Sequence, residues 1–159
     1  MQYRKARLDE VQEVAQVCAD AFEDYPYLSM IASNLKNPEQ YKEFVLALQE
    51  VLVRLAIKQD SCLVAEKDGR IVAAAILQHQ TISMLNYLQN GATKLFSFIS
   101  ITKLFKYFNF VEESERHLED SAEYDWYLMM LAVTPDYMFN SESEDREENE
   151  YLTRKIVFE

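Results

Sequence analysis

Few side chains in this sequence stand where they could do chemistry. Glu123 and Asp125 lie just ahead of the apolar run at residues 126–133, Tyr25 and Tyr27 flank Pro26, and His79 closes the apolar run that begins at Ile71. A carboxylate or an imidazole can take up or return a proton, and a tyrosine pair can wall a pocket. Each also has a plainer reading: solvated loop carboxylates, packing tyrosines and a structural histidine. Cys18 and Cys62 each sit inside an apolar periodic segment, so they read as buried free thiols rather than a disulfide framework. That fits a reducing, cytoplasmic compartment.

Several chemistries find no support. His79, His117, Cys18 and Cys62 show no metal-ligand spacing. No Gly-x-Ser-x-Gly elbow and no phosphate-binding P-loop pattern occurs. Residues 1–7 pass directly into charged sequence without a signal-peptide core. Residues 71–93 are apolar overall but hold Gln78, Gln80, Asn86, Gln89 and Asn90, too many amides for a membrane span.

Charge divides the chain into three parts. Residues 1–68 hold 12 acids and 8 bases, residues 69–111 hold 4 bases and no acid, and residues 112–159 hold 15 acids and 4 bases, for a total of -11. An acidic surface repels phosphates and argues against general nucleic-acid binding. At 159 residues the chain has the length of one domain.

The elements that must position the candidates follow from periodicity. Residues 2–7 suit an edge strand. Asp9 opens a helix whose apolar face is Val11, Val14, Ala15, Cys18 and Phe22, and Pro26 ends or redirects it. Residues 27–31 suggest a short second helix. Asn37 caps a third, with Pro38 at its first position and Tyr41, Phe44, Val45, Leu48, Leu52, Leu55 and Ala56 as its stripe. Residues 61–66 read as a strand, Asp68-Gly69 as a hairpin turn, and residues 71–77 as a central strand covered on both faces.

Residues 81–110 read as one or two helices, although Lys94, Ser97, Ser100, Lys103 and Lys106 recur every third position, a spacing that spirals around an α-helix. This segment reads either as a helix wedged against the sheet or as a substrate or partner surface. A polar helical linker follows, then a buried strand through residues 125–133 and a Pro-directed turn at Thr134-Pro135-Asp136-Tyr137. Residues 141–150 are a charge run, and residues 151–158 suit a last short strand.

This order resembles the GNAT N-acetyltransferases over residues 2–137. Tyr3-Arg4-Lys5-Ala6 with Asp9-Glu10-Val11 resembles that family's opening strand and helix. Leu63-Val64-Ala65-Glu66 with Asp68-Gly69-Arg70-Ile71-Val72-Ala73 resembles its central hairpin. Trp126-Tyr127-Leu128 through Pro135-Asp136-Tyr137 resembles its core strand and the turn after it. The fold expected is α/β (α+β): a mixed, mostly antiparallel sheet flanked by helices, with a helical insertion at about residues 81–122.

The resemblance implies acetyl transfer from acetyl-CoA to a small-molecule amine, with the backbone of Leu131, Ala132 and Val133 along the pantetheine arm and acetyl carbonyl. It assigns Tyr25, Tyr27 and His79 to the acceptor side and Glu123 and Asp125 to proton removal. The family's glycine-rich pyrophosphate loop would begin at Met138. No glycine follows Gly91, and the window reads Met138-Phe139-Asn140-Ser141-Glu142-Ser143. Ser141 with Glu144 resembles a capping box, but Glu142, Glu144 and Asp145 would oppose a bound pyrophosphate. Tyr151 is the only late tyrosine that could stand for the family's general acid. Residues 1–137 thus read as an incomplete GNAT-like domain and residues 138–159 as a divergent acidic segment. The alternative is a non-catalytic, truncated relative that binds a small molecule or a protein, including a homodimer formed through an exposed sheet edge.

Overall fold

The computed structural model describes residues 1–78, 82–121 and 126–138. Among these residues four strands form one sheet in chain order: β1 (Gln2–Lys5), β2 (Cys62–Lys67), β3 (Arg70–Gln78) and β4 (Tyr127–Val133). All three pairings are antiparallel. With its flanking helices this is the α+β class expected from the sequence.

Local chemistry explains most of the elements. A 3-10 turn at Leu8–Glu10 leads into α1 (Val11–Phe22), which buries Val11, Val14, Ala15 and Cys18 as its spacing requires. Pro26 takes the first position of α2 (Pro26–Ala32), where its missing N–H would have no helical acceptor anyway. The Asn37 side chain accepts a hydrogen bond from the Glu39 N–H at 3.1 Å, and a 3-10 turn at Pro38–Gln40 opens α3 (Tyr41–Lys58). Between β2 and β3, Asp68 at φ 53° and Gly69 at φ 75° give the two left-handed residues of a type I′ turn.

α3 separates two cores. Val53 and Ala56 face α1 and the sheet, where they meet Val14, Cys18, Val64, Ile76 and Ala132. Phe44, Leu48 and Val51 face the insertion, where they meet Leu95, Ile99 and Leu104. Burial around so much of its circumference is why α3 is apolar beyond a single stripe. Every residue of β3 from Ile71 to Ile76 is buried, as expected of a central strand.

The insertion comprises α4 (Met84–Gln89), a 3-10 helix at Ala92–Ser97 and α5 (Ile101–Ser121). Gly91, at φ 104°, terminates α4 in the left-handed region that glycine adopts without strain. The first part of the three-residue polar period is now explained. A 3-10 helix has three residues per turn, so Lys94 and Ser97 share an exposed face while Ala92 and Leu95 share a buried one. α5 runs on to Ser121, through the polar stretch expected to be helical. The turn at Pro135 is a short helix, α6 (Pro135–Met138).

Candidate active site

Among the described residues β4 is the last strand of the sheet and pairs only with β3. An antiparallel strand spends alternate peptide groups on one neighbour, so the others point outward. Leu131, Ala132 and Val133 lie on this strand opposite Ala75, Ala74 and Ala73. Ala132 is buried against the α1 side of the sheet. Val133 packs on the opposite face with Ala65, Val72 and Tyr137.

β4 is not regular. Ile76 is opposite Met130 but Leu77 is opposite Leu128, so Met129 has no partner on β3. Such a bulge bends the strand and re-aims the peptide groups on either side. One consequence is that consecutive residues, Met129 and Met130, both pack against the core beneath α1. Sequence spacing could not show this, because a bulge breaks the two-residue alternation without a marker residue.

α1 is pinned across the sheet at its start. Glu10, 7% exposed, accepts from both terminal nitrogens of Arg4 at 2.8 and 2.7 Å and from the Arg7 N–H at 2.8 Å. Arg4 also reaches Glu66 of β2 at 2.6 Å. Arg4 holds the Glu10 carboxylate below the ordinary range; burial acts the other way and is outweighed, and the Arg7 N–H adds to the lowering. Farther along, Cys18 and Cys62 lie close enough for the Cys62 thiol to affect Cys18. Burial first, then each thiol's neighbour (Cys62 beside Cys18, Glu10 near Cys62), pushes both up to about 12. They are protonated, inert core groups, so no thiol nucleophile is available here.

α1 starts at the Ile71 end of β3, where Glu13 meets the Ile71 N–H, and at its other end Ala21 and Phe22 pack on the same core as Met129 and Met130 of β4. Beyond that helix Tyr25 stands 51% exposed, edge-on to Phe22 at 5.6 Å and 89°. It is a surface aromatic, not a packed core one. Trp126, at the entry to β4, is 49% exposed. Tyr27 belongs to the first turn of α2, but its side chain lies outside the described part, as do His79, Glu123 and Asp125 altogether.

At the opposite end of the sheet a polar cleft of about 640 Å³ opens between the β2–β3 turn and the start of α6. Lys67, Arg70, Asp68, Thr134, Asp136 and Tyr137 wall it. Lys67 Nζ lies 5.1 Å from the centre of the Tyr137 ring, a cation–π contact. The Thr134 N–H donates to the Val72 carbonyl at 2.9 Å and anchors the strand-to-helix turn. Two cations face two carboxylates here, so the cleft is not strongly basic. Sequence reading missed it, because its parts are separated by more than sixty residues and join only through the β3–β4 register.

No family model and no curated protein matches the chain. Among solved structures it is similar to the Drosophila melanogaster polyamine N-acetyltransferase, an enzyme that catalyses the formation of N-acetylagmatine: 17% identity, 98% of this chain and 71% of that chain covered, TM-score 0.49. It is also similar to the apo form of a mutant agmatine N-acetyltransferase, at 16% identity, 98% and 70% coverage and a TM-score of 0.48. Among the described residues no helix is long and apolar enough to cross a membrane.

Proposed function

We propose that this chain is a GNAT-like N-acetyltransferase that takes acetyl-CoA along the outer edge of β4 and an amine at the Tyr25 end of the sheet. The observation that carries this reading is the position of residues 131–133 on the terminal strand, just past the bulge at Met129 and just before the helix at Pro135. An extended pantetheine arm carries amide groups, and an open strand edge offers the N–H and C=O groups that match them. Acetyl-CoA supplies an activated thioester; transfer to the amine forms a C–N bond, breaks the C–S bond and releases the CoA thiol.

The chain's own contribution is then binding, orientation and proton removal. The backbone of Leu131, Ala132 and Val133 holds the arm. Tyr25 and Trp126, both exposed, wall the acceptor side, and Tyr27 and His79 are assigned to that side by the resemblance. An amine arrives as an ammonium and must lose a proton before it can attack. Glu123 and Asp125, directly ahead of Trp126 in the chain, are assigned that task. The formal charge of -11 favours a cationic acceptor such as a polyamine. We place the protein in the cytoplasm, in keeping with its two free thiols.

Release of CoA thiol from acetyl-CoA in the presence of agmatine or spermidine tests this reading. Acceptor-dependent release that falls roughly a hundredfold in Glu123→Gln, Asp125→Asn or the double variant supports it. Absence of release with a broad amine panel rejects it.

A second reading rests on a different observation: no glycine follows Gly91, so the stretch after β4 lacks the residues that let backbone close around a pyrophosphate. On this reading the chain is a non-catalytic relative, and β4 or another strand edge pairs with a second copy. Light scattering across a concentration series separates the two, because a strict monomer rejects the edge-paired dimer.

A further inference from the structure

We propose that the cleft between α2 and α5 is a binding site for a small monocarboxylate with an apolar body, an aryl- or alkyl-alkanoate. The cleft is open to solvent and offers about 240 Å³. Ile31 of α2 and Ile99 ahead of α5 form its buried apolar floor, and Tyr107 and Phe110 of α5 form its wall. An apolar cavity of about 150 Å³ is enough to admit benzene, so this one has room for a ring or a short alkyl chain with a head group.

The head group is specified by charge. Lys103, Lys106, Tyr107 and Phe110 fall at i, i+3, i+4 and i+7, one face of α5, so both ammonium groups stand at the edge of the apolar wall. The cleft lining contains no acid among the described residues. Lys94, from the same acid-free stretch, pairs with Glu50 at 3.0 Å, whereas Lys103 and Lys106 have no ion-pair partner among the described residues. Two like charges one turn apart repel each other, and an anion between them relieves that repulsion. In a chain of formal charge -11, a local pair of lysines with no ion-pair partner among the described residues, beside an apolar cleft, selects a carboxylate and disfavours an amine. None of the lining residues belongs to the sheet, so this site is separate from the β4 edge and does not depend on the acetyltransferase reading.

The test is a calorimetric titration of the full chain with 4-phenylbutyrate and, in parallel, with 4-phenylbutylamine, which has the same body and the opposite charge. The carboxylate is expected to bind at least roughly tenfold more tightly than the amine, and more weakly as salt rises. The Lys103→Gln/Lys106→Gln double variant is expected to weaken the carboxylate by roughly tenfold or more. Both lysines are exposed, so the variant keeps its fold, which an unchanged melting curve checks. Phe110→Ala should weaken the carboxylate as well, through the apolar wall. Equal binding of the two probes, an unchanged affinity in the double variant, or no binding of the carboxylate at millimolar concentration overturns the proposal.

Discussion

The Glu13 carboxylate accepts a hydrogen bond from the buried backbone N–H of Ile71 at 3.0 Å, joining α1 to the start of β3 across 58 residues of sequence. The strand registers explain the need for it. Ala65 is opposite Ala73 and Glu66 is opposite Ile71, so the shift leaves Val72 without a partner on β2, while the β3–β4 pairing ends at Ala73 opposite Val133, so no β4 residue pairs with Ile71. The Ile71 N–H is met by a helix side chain instead of a strand carbonyl. Glu13→Ala should therefore destabilise the fold by about 1–2 kcal/mol in urea denaturation, and Glu13→Gln, which keeps an acceptor oxygen, by less. Equal stability of Glu13→Ala and wild type would show that the contact does not hold α1 in place.

Acid stability should depend on Glu10. Its pKa is lowered in the folded state, chiefly by Arg4. A lowered carboxylate pKa contributes stability above the unfolded-state value, and that contribution is lost as pH falls through the folded one. Wild type is expected to lose stability as pH falls below about 4.3, the ordinary value for a glutamate. Glu10→Gln should start less stable at neutral pH and show a shallower fall in that window. Parallel acid profiles for the two proteins would contradict the assignment.

Cys18 and Cys62 should be silent toward a thiol reagent in the folded protein at mildly alkaline pH, and both should react on denaturation. The linkage has a definite sign. A thiol pKa raised from 9.0 to about 12 contributes stability below the ordinary value, and that contribution is lost as pH rises toward about 12. Cys62→Ala should accordingly show a shallower decline above pH 9 than wild type. Rapid labelling of native protein would mean that the core around α1 opens easily.

Gln49 is buried in the middle of α3, 1% exposed, and its Oε1 has no hydrogen-bond partner among the described residues. A buried, unpaired amide oxygen is costly, and Met has a similar shape without that polarity. Gln49→Met is expected to stabilise the protein by about 1 kcal/mol, read as a higher melting temperature. A lower melting temperature would indicate that the amide has a polar partner.

Legibility in the sequence followed the range of the interaction. The Asn37-Pro38 start, the Asp68-Gly69 turn and the apolar face of α1 are local signals, and each marks the element it was expected to mark. The three-residue polar spacing of residues 94–106 was visible, but its 3-10 part was not separated from the α-helix after it. The Arg4–Glu10–Glu66 cluster and the cleft beside Lys67 depend on contacts between distant segments, and the bulge at Met129 has no residue signature. Of the candidate site, the placement of residues 131–133 on a core strand was legible from element order, and their place at the end of the sheet required the pairing. Tyr25 could have been wall or packing by sequence, and its exposure decides for a surface position.

The central claim is that β4 presents its outer edge to acetyl-CoA. The most direct measurement is a backbone amide NMR titration of the full chain with acetyl-CoA. Saturable shifts are expected at Leu131, Ala132 and Val133 and at the neighbours of Met129, with the α5 amides at Lys103 and Lys106 unmoved. No shift along β4 at millimolar acetyl-CoA would contradict it.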